Sequence, residues 1–154
     1  MDSFDWIHHW ITMKAKLRTI RSFTAQDWIL LVQAWSLLLA IDIGLRILPF
    51  RKIQSWMMPR HHKEISSAQA EIMIRRSSDF VELAARNHIY PMTCLRRSLA
   101  MQTLLSKRGV NTDLFIGVRR NQEKLEAHAW LEYQGQPIGE KDPPTGQFTP
   151  LKTT

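Results

Sequence analysis

The chain holds one cysteine, Cys94, at the head of the run Pro91, Met92, Thr93, Cys94, Leu95, Arg96, Arg97, Ser98, Leu99. A single thiol has no internal disulfide partner, and in the first turn of a helix the free amides and the macrodipole stabilise a thiolate. Arg96 and Arg97 are expected to add positive charge nearby. Cys94 is therefore a candidate nucleophile. Thirty-three residues later comes Ala127, His128, Ala129, Trp130, in an alternating stretch that reads as a strand. A thiol on a helix facing an imidazole on a strand is the layout of a thiol hydrolase or acyl transferase. On a strand, His128, Trp130 and Glu132 share one face and Ala127, Ala129 and Leu131 the other, so Trp130 is expected to wall the imidazole. A third group must hold that ring in its working tautomer. The chain turns back at Gly135, which can bring Glu140, twelve positions beyond the histidine, alongside it; Asp142 is the nearby competitor. The competing readings are a small buried thiol and a satisfied core histidine.

Several elements must position these groups. Ser22 or Thr24 opens a long helix that Pro49 stops, and Thr24 followed by Asp27 resembles a capping box. Arg51 to Met58 adds a helical turn, and the His-bearing stretch Pro59 to Lys63 connects it onward. A helix from about Ser66 to Asn87 follows, with Ile72, Arg76, Val81, Leu83 and Ala84 as an imperfect stripe, then a break at His88 to Pro91. Thr93 is the expected N-cap of the Cys94 helix. Leu95, Leu99, Leu104 and Leu105 form its apolar side, and Gly109 sits at the C′ position behind Lys107 and Arg108. The period then becomes strand-like: Asp113 to Val118, Leu125 to Tyr133, a turn at Gln134, Gly135 and Gln136, and a third strand near Pro137 and Ile138. The Pro-rich tail from Asp142 to Thr154 is expected to be loop. Helices followed by antiparallel strands predict an α+β fold, with a small sheet packed on the Cys helix.

The 154 residues suit one structural domain able to bury a core without disulfides or a structural metal. Within it, residues 1–60 form an N-terminal helical segment and 61–154 the catalytic core. Net charge is +7, and from Arg51 to Arg120 thirteen basic residues stand against five acidic ones. Such a surface attracts an acidic peptide, nucleic acid, anionic lipid or partner protein, or is simply a solvated face. The start of the chain lacks a basic segment and a small-residue cleavage site, so a cytoplasmic, reducing location is expected. Trp28 to Ile41 gives fourteen uncharged residues, about 21 Å of helix against a bilayer core of roughly 30 Å. It reads as a core helix; membrane association is possible but not expected.

Four blocks in order also resemble a known family: Cys94 to Ala100, Leu104 to Val110, Ile116 to Arg119, and Ala127 to Glu132, with Leu48 to Arg51 upstream. Together, over roughly residues 25–150, they are similar to the transglutaminase-like (papain-like) cysteine protease of lasso-peptide biosynthesis, the microcin-processing type. The resemblance implies a Cys-His-acid triad that falls on Cys94, His128 and Glu140, with Glu where the family usually has Asp. It implies removal of a leader from a ribosomally synthesised precursor peptide, without a cofactor or metal. The expected partners are that precursor's leader, a separate PqqD-like leader-recognition protein that could dock on the basic middle segment, and an asparagine-synthetase-like cyclase. The roughly sixty residues before the basic connector are helical, without the strands of a fused recognition module, so the standalone form is expected. No nucleic acid partner is expected.

Two rival functions use the same residues differently. One is a transglutaminase-like acyl transferase, in which an amine rather than water resolves the acyl-enzyme. The other is a non-catalytic basic adaptor that binds peptide or nucleic acid. The pairs His8-His9 and His61-His62 lack the spacing of metal ligands. Trp28, Trp35, Trp56 and Trp130 are expected to pack, whereas Trp6 and Trp10 lie in a basic arm whose role is not readable. His88 and Tyr90 precede the nucleophile and could stabilise an oxyanion or gate the site, though packing is the simpler expectation.

Overall fold

A computed structural model describes residues 23–57, 65–121, 124–140, 146 and 148–151. The arm at residues 2–21 with His8, His9, Trp6 and Trp10, the connector with His61 and His62, and Asp142 lie outside the described residues, as does the Trp56 side chain. The described elements are α1 (Ala25–Ile47), α2 (Phe50–Met57), α3 (Ser67–Arg86), α4 (Cys94–Ser106), β1 (Asp113–Asn121), β2 (Lys124–Tyr133), β3 (Gln136–Ile138) and β4 (Thr149–Pro150). Four helices thus precede a four-stranded antiparallel sheet of order β3-β2-β1-β4, the α+β arrangement expected. By compactness the chain divides into residues 1–30 and 31–154, a boundary inside α1. The sheet and the site belong wholly to the second unit.

In the first unit the capping box forms: Thr24 donates its N–H and hydroxyl to Asp27 Oδ2 at 2.8 and 2.6 Å, and Asp27 N–H donates back to Thr24 Oγ1 at 3.3 Å. Trp28 meets Phe23 edge-on at 5.7 Å but is 45% exposed, so it is not the packed residue expected.

In the second unit α1 buries one stripe, Ala34, Leu38, Ile41 and Asp42, and leaves Val32, Ile43 and Ile47 largely in solvent. The expected core helix is therefore only half one. Because α1 is apolar all round, its sequence periodicity cannot tell which stripe faces inward. Its 23 residues are long and apolar enough to cross a bilayer by length and composition, which corrects the shorter count that stopped at Asp42. Asp42 is 1% exposed and paired with Arg46 Nε at 3.1 Å and Arg96 Nη2 at 2.7 Å. A lone acid in an apolar run thereby becomes the tie between α1 and the start of α4. Pro49 ends α1 and also opens α2, its carbonyl accepting from Lys52 N–H at 2.9 Å.

Ser66 caps α3 by accepting from Gln69 N–H, and Asn87 closes it through a 2.7 Å bond to the Leu83 carbonyl. Its buried stripe is Ala70, Ser77, Phe80, Val81 and Ala84, while Ile72 is 64% exposed. Small residues let α3 approach its neighbours, a pattern that hydrophobicity alone does not mark.

Every residue of α4 from Ser98 to Ser106 is buried, not just the leucine side. The polar members have internal partners: Ser98 Oγ donates to the Ala129 carbonyl at 3.0 Å, Gln102 Nε2 to Thr112 at 2.9 Å, and Thr103 Oγ1 to Leu99 at 2.8 Å. Past Ser106 the chain closes as a Schellman motif, with Gly109 at φ 83° and bonds from Gly109 N–H to Ser106 and Val110 N–H to Leu105. Three of these devices seat α4 against the sheet or end it cleanly, so the position of Cys94 is fixed from behind.

The β1–β2 ladder runs from Asp113↔Glu132 to Asn121↔Lys124. Tyr133 and Gln136 flank a two-residue turn in which Gln134 and Gly135 both have positive φ, the type I′ geometry that matches strand twist. Ala129, Trp130 and Leu131 are all buried, so both faces of β2 are covered there. The tail is not all loop. Thr149 and Pro150 pair with Val118 and Gly117, and Leu151 N–H donates to the Ile116 carbonyl at 2.7 Å. Two residues, one of them a proline tolerated at a sheet edge, carry no period that a sequence reading could detect.

Candidate functional site

Cys94 is the first residue of α4, partly exposed. Thr93 precedes it with extended backbone, φ −73° and ψ 163°, as an N-cap residue does, but its hydroxyl makes no capping bond. The expected side-chain cap is absent, and the amides of the first turn keep their unfilled donor capacity beside the thiol. His128 lies on β2 opposite Gly117 of β1. Its ring stacks near-parallel on Trp130, with centroids 6.2 Å apart and 12° between planes, so Trp130 walls the imidazole as expected. The Trp130 indole N–H is held by Glu132 Oε1 at 2.9 Å.

Glu140 follows β3 and places Oε2 3.3 Å from His128 Nε2, with side chains 28% and 23% exposed. Gly139 makes this return possible. Its φ of 76° is a left-handed conformation, and a Cβ there would sit 3.0 Å from Met101 Sδ and 3.4 Å from Ser78 Oγ. The extra methylene of Glu over Asp therefore reaches the imidazole from a backbone that turns tightly against α4.

Cys94, His128 and Glu140 line one cleft of about 930 Å³, together with Glu82, Arg97 and Phe148. The surrounding charges are paired differently from expectation. Arg96 turns away, bound to Asp42 and donating to the Pro91 carbonyl at 3.1 Å. Arg97 faces the cleft and pairs with Glu82 at 2.9 Å, a carboxylate it shares with Arg86 at 2.8 Å. Partial burial alone would raise the Glu82 carboxyl. Hydrogen bonds from Arg86 and Arg97, with their charges, outweigh it and hold the group below its ordinary 4.5. Of the two arginines expected beside the thiol, only Arg97 lines the cleft.

His88 and Tyr90 are not part of the cleft lining. His88 stacks on Trp35 at 4.8 Å and accepts from Tyr90 N–H, while Arg46 lies over the Tyr90 ring at 5.3 Å. His88 packs, as the simpler expectation had it, whereas Tyr90 is 46% exposed.

Sequence reasoning missed Asp42, Glu82, Gly139 and Phe148. Glu82 and Arg86 carry a readable i,i+4 signature, and Asp42 is the one acid inside an apolar run. Phe148, whose ring centroid is 5.3 Å from that of His128, sits in the proline-rich tail, where nothing in the sequence singles it out.

Over 92 residues, 58% of this chain and 43% of the other, the sequence is 28% identical to the microcin J25-processing protein McjB of Escherichia coli. The match thus spans less than half the length of that relative. No solved structure matches the chain. Residues 35–153, from the buried stripe of α1 through β4, match the transglutaminase-like superfamily, and the chain belongs to it.

Proposed function

We propose that the chain is a cysteine peptidase that removes the leader from a ribosomally made lasso precursor peptide. The observation that carries this reading is the 3.3 Å approach of Glu140 to His128 Nε2 in the cleft that Cys94 also lines. Similarity to a microcin-processing protein supports the substrate class. With Nε2 3.3 Å from the Glu140 carboxylate, a ring protonated at that nitrogen leaves Nδ1 to take the thiol proton.

The chemistry then runs as follows. His128 Nδ1 accepts the Cys94 proton, and the thiolate sulfur attacks the scissile carbonyl carbon. The carbonyl π electrons move onto oxygen, where the Cys94 backbone N–H and the other first-turn amides of α4 stabilise the charge. As the oxyanion collapses, the C–N bond breaks and the imidazolium gives its proton to the departing amine of the core peptide. Water, deprotonated by the same nitrogen, attacks the thioester. The C–S bond breaks, giving a free leader carboxylate and the restored thiol. Glu140 keeps its charge throughout and stabilises the imidazolium.

All three side chains fall within residues 61–154, the proposed catalytic core. A separate PqqD-like recognition protein would present the leader, and an asparagine-synthetase-like cyclase would use the freed amine, all in the cytoplasm. The test is incubation of wild type and Cys94→Ala with a lasso precursor peptide, in the presence of a leader-recognition protein, read by mass. Leader and core separating by addition of one water, only with Cys94, is the expected result. A crosslinked product would show an acyl transferase instead, and processing by Cys94→Ala would end the thiol mechanism.

A further inference from the structure

Glu140 touches the imidazole at one nitrogen and at 3.3 Å, the long end for a hydrogen bond. A ring held only there can still tilt about that contact. Three rings meet at this point: His128 to Phe148 at 5.3 Å, His128 to Trp130 at 6.2 Å and Trp130 to Phe148 at 6.4 Å, a near-equilateral cluster. Phe148 comes from the segment entering β4, outside the Cys helix and the β1–β2 hairpin. It is held from two sides. Next to it Thr149 and Pro150 pair with β1, and the Arg119 guanidinium, bound to Glu126 at 2.6 Å, lies 4.7 Å over its ring.

Gly117 shows how close this fit is. It stands opposite His128 in the ladder, and a Cβ on it would lie 2.9 Å from Phe148 Cβ and 3.0 Å from two Trp130 ring carbons. Those atoms are the root of one side chain and a buried indole, not flexible ends. The missing Cβ is the space in which Phe148 and Trp130 meet beside the imidazole.

We propose that Phe148, admitted by Gly117 and braced by Arg119, is a positioning residue that fixes the tilt of the His128 ring so that Nδ1 faces the Cys94 thiol. This rests on the peptidase reading above, and the test separates the two. Cys94 is the one cysteine of the chain, so its alkylation by iodoacetamide is read without ambiguity from intact mass, and no peptide substrate is required. Rates are measured from pH 5 to 9 for wild type, His128→Ala, Phe148→Ala, Phe148→Leu and Phe148→Tyr.

Wild type is expected to alkylate faster at pH 6 than His128→Ala, which lacks the group that accepts the thiol proton. Phe148→Ala is expected to slow alkylation at pH 6 about tenfold while leaving the rate at pH 9 unchanged, since a mispositioned imidazole matters only where the thiol needs it. Phe148→Tyr, which keeps the ring, returns the pH 6 rate to within about twofold. Should Phe148→Ala fail to fold, Phe148→Leu keeps most of the volume without the ring face and is expected to show the same loss. A folded Phe148→Ala or Phe148→Leu whose profile superimposes on wild type, while His128→Ala departs, overturns the positioning role and leaves the peptidase standing. A wild-type profile identical to that of His128→Ala overturns the peptidase reading itself.

Discussion

Replacing Glu140 by Gln keeps the reach and an acceptor oxygen but removes the charge, so it isolates what the carboxylate does for the imidazolium. The groups are 3.3 Å apart with about a quarter of each side chain exposed. An effective dielectric of about 40, between a surface pair and bulk water, gives roughly 2.5 kcal/mol of attraction. If that attraction is fully expressed when the imidazole is protonated in the transition state, its loss lowers kcat about seventyfold. KM should stay within about twofold, because Glu140 acts through the imidazole. Glu140→Asp keeps the charge but withdraws it by about 1.5 Å, which weakens the attraction by roughly 0.8 kcal/mol and costs about fourfold. The assay is single-turnover cleavage of the precursor with the recognition protein present, alongside thermal melts to confirm folding. The expected order is wild type, then Asp, then Gln. Gln within threefold of wild type would remove Glu140 from the mechanism, and Asp falling below Gln would show that reach, not charge, is what the site requires.

Other perturbations read the scaffold. Gly139→Ala forces a side chain into φ 76° and against Met101; a loss of about 1–2 kcal/mol is expected in urea unfolding, together with reduced cleavage as Glu140 is displaced. Asp42→Ala leaves Arg96, whose side chain is 20% exposed, without its carboxylate at the base of the Cys helix, and should cost about 3 kcal/mol by the same measurement. Glu82 is held below its usual value, so its stabilisation is fully present above about pH 4.5 and disappears as pH falls through the lower folded value. Glu82→Gln should therefore flatten the acid limb of the melting profile between pH 5 and 3, by no more than about 0.5 kcal/mol because the side chain is 38% exposed. An unchanged acid limb would mean that Arg97 gains nothing from this partner.

The proposed reacting groups were readable because each announces itself locally. Cys94 is unique and follows a capping-type residue, His128 sits in an alternating run, and Gly135 makes a turn whose length returns Glu140 to the strand. What surrounds them was not readable, for reasons of physics. α1 is apolar on every side, so its pattern holds no information about which stripe is buried, and Asp42 reads as a boundary until Arg96 is found beside it. α4 is covered all round; its threonine bonds within the helix, but its serine and glutamine are buried on bonds to the carbonyls of Ala129 and Thr112. Those bonds exist only once the sheet is in place.

The charges near Cys94 illustrate the same limit in the opposite direction. Arg96 and Arg97 sit two and three residues past the thiol, and proximity in sequence suggests that both supply positive field to it. On a helix those positions leave the first turn at about 200° and 300° from Cys94, so each points to a different neighbour. Arg96 meets Asp42 of α1 and Arg97 meets Glu82 of α3. Their effect is to anchor the N-terminus of α4 between two helices, each on a carboxylate that a second arginine shares. In the proposed mechanism the thiol relies on the helix amides and on the imidazole that lines the same cleft. An active site whose activation depends on one histidine is sensitive to how that ring is held, and Glu140, Trp130 and Phe148 all bear on it. Arginines that sequence reading casts as electrostatic helpers act as struts, and an unremarked phenylalanine in the tail lies against the imidazole itself.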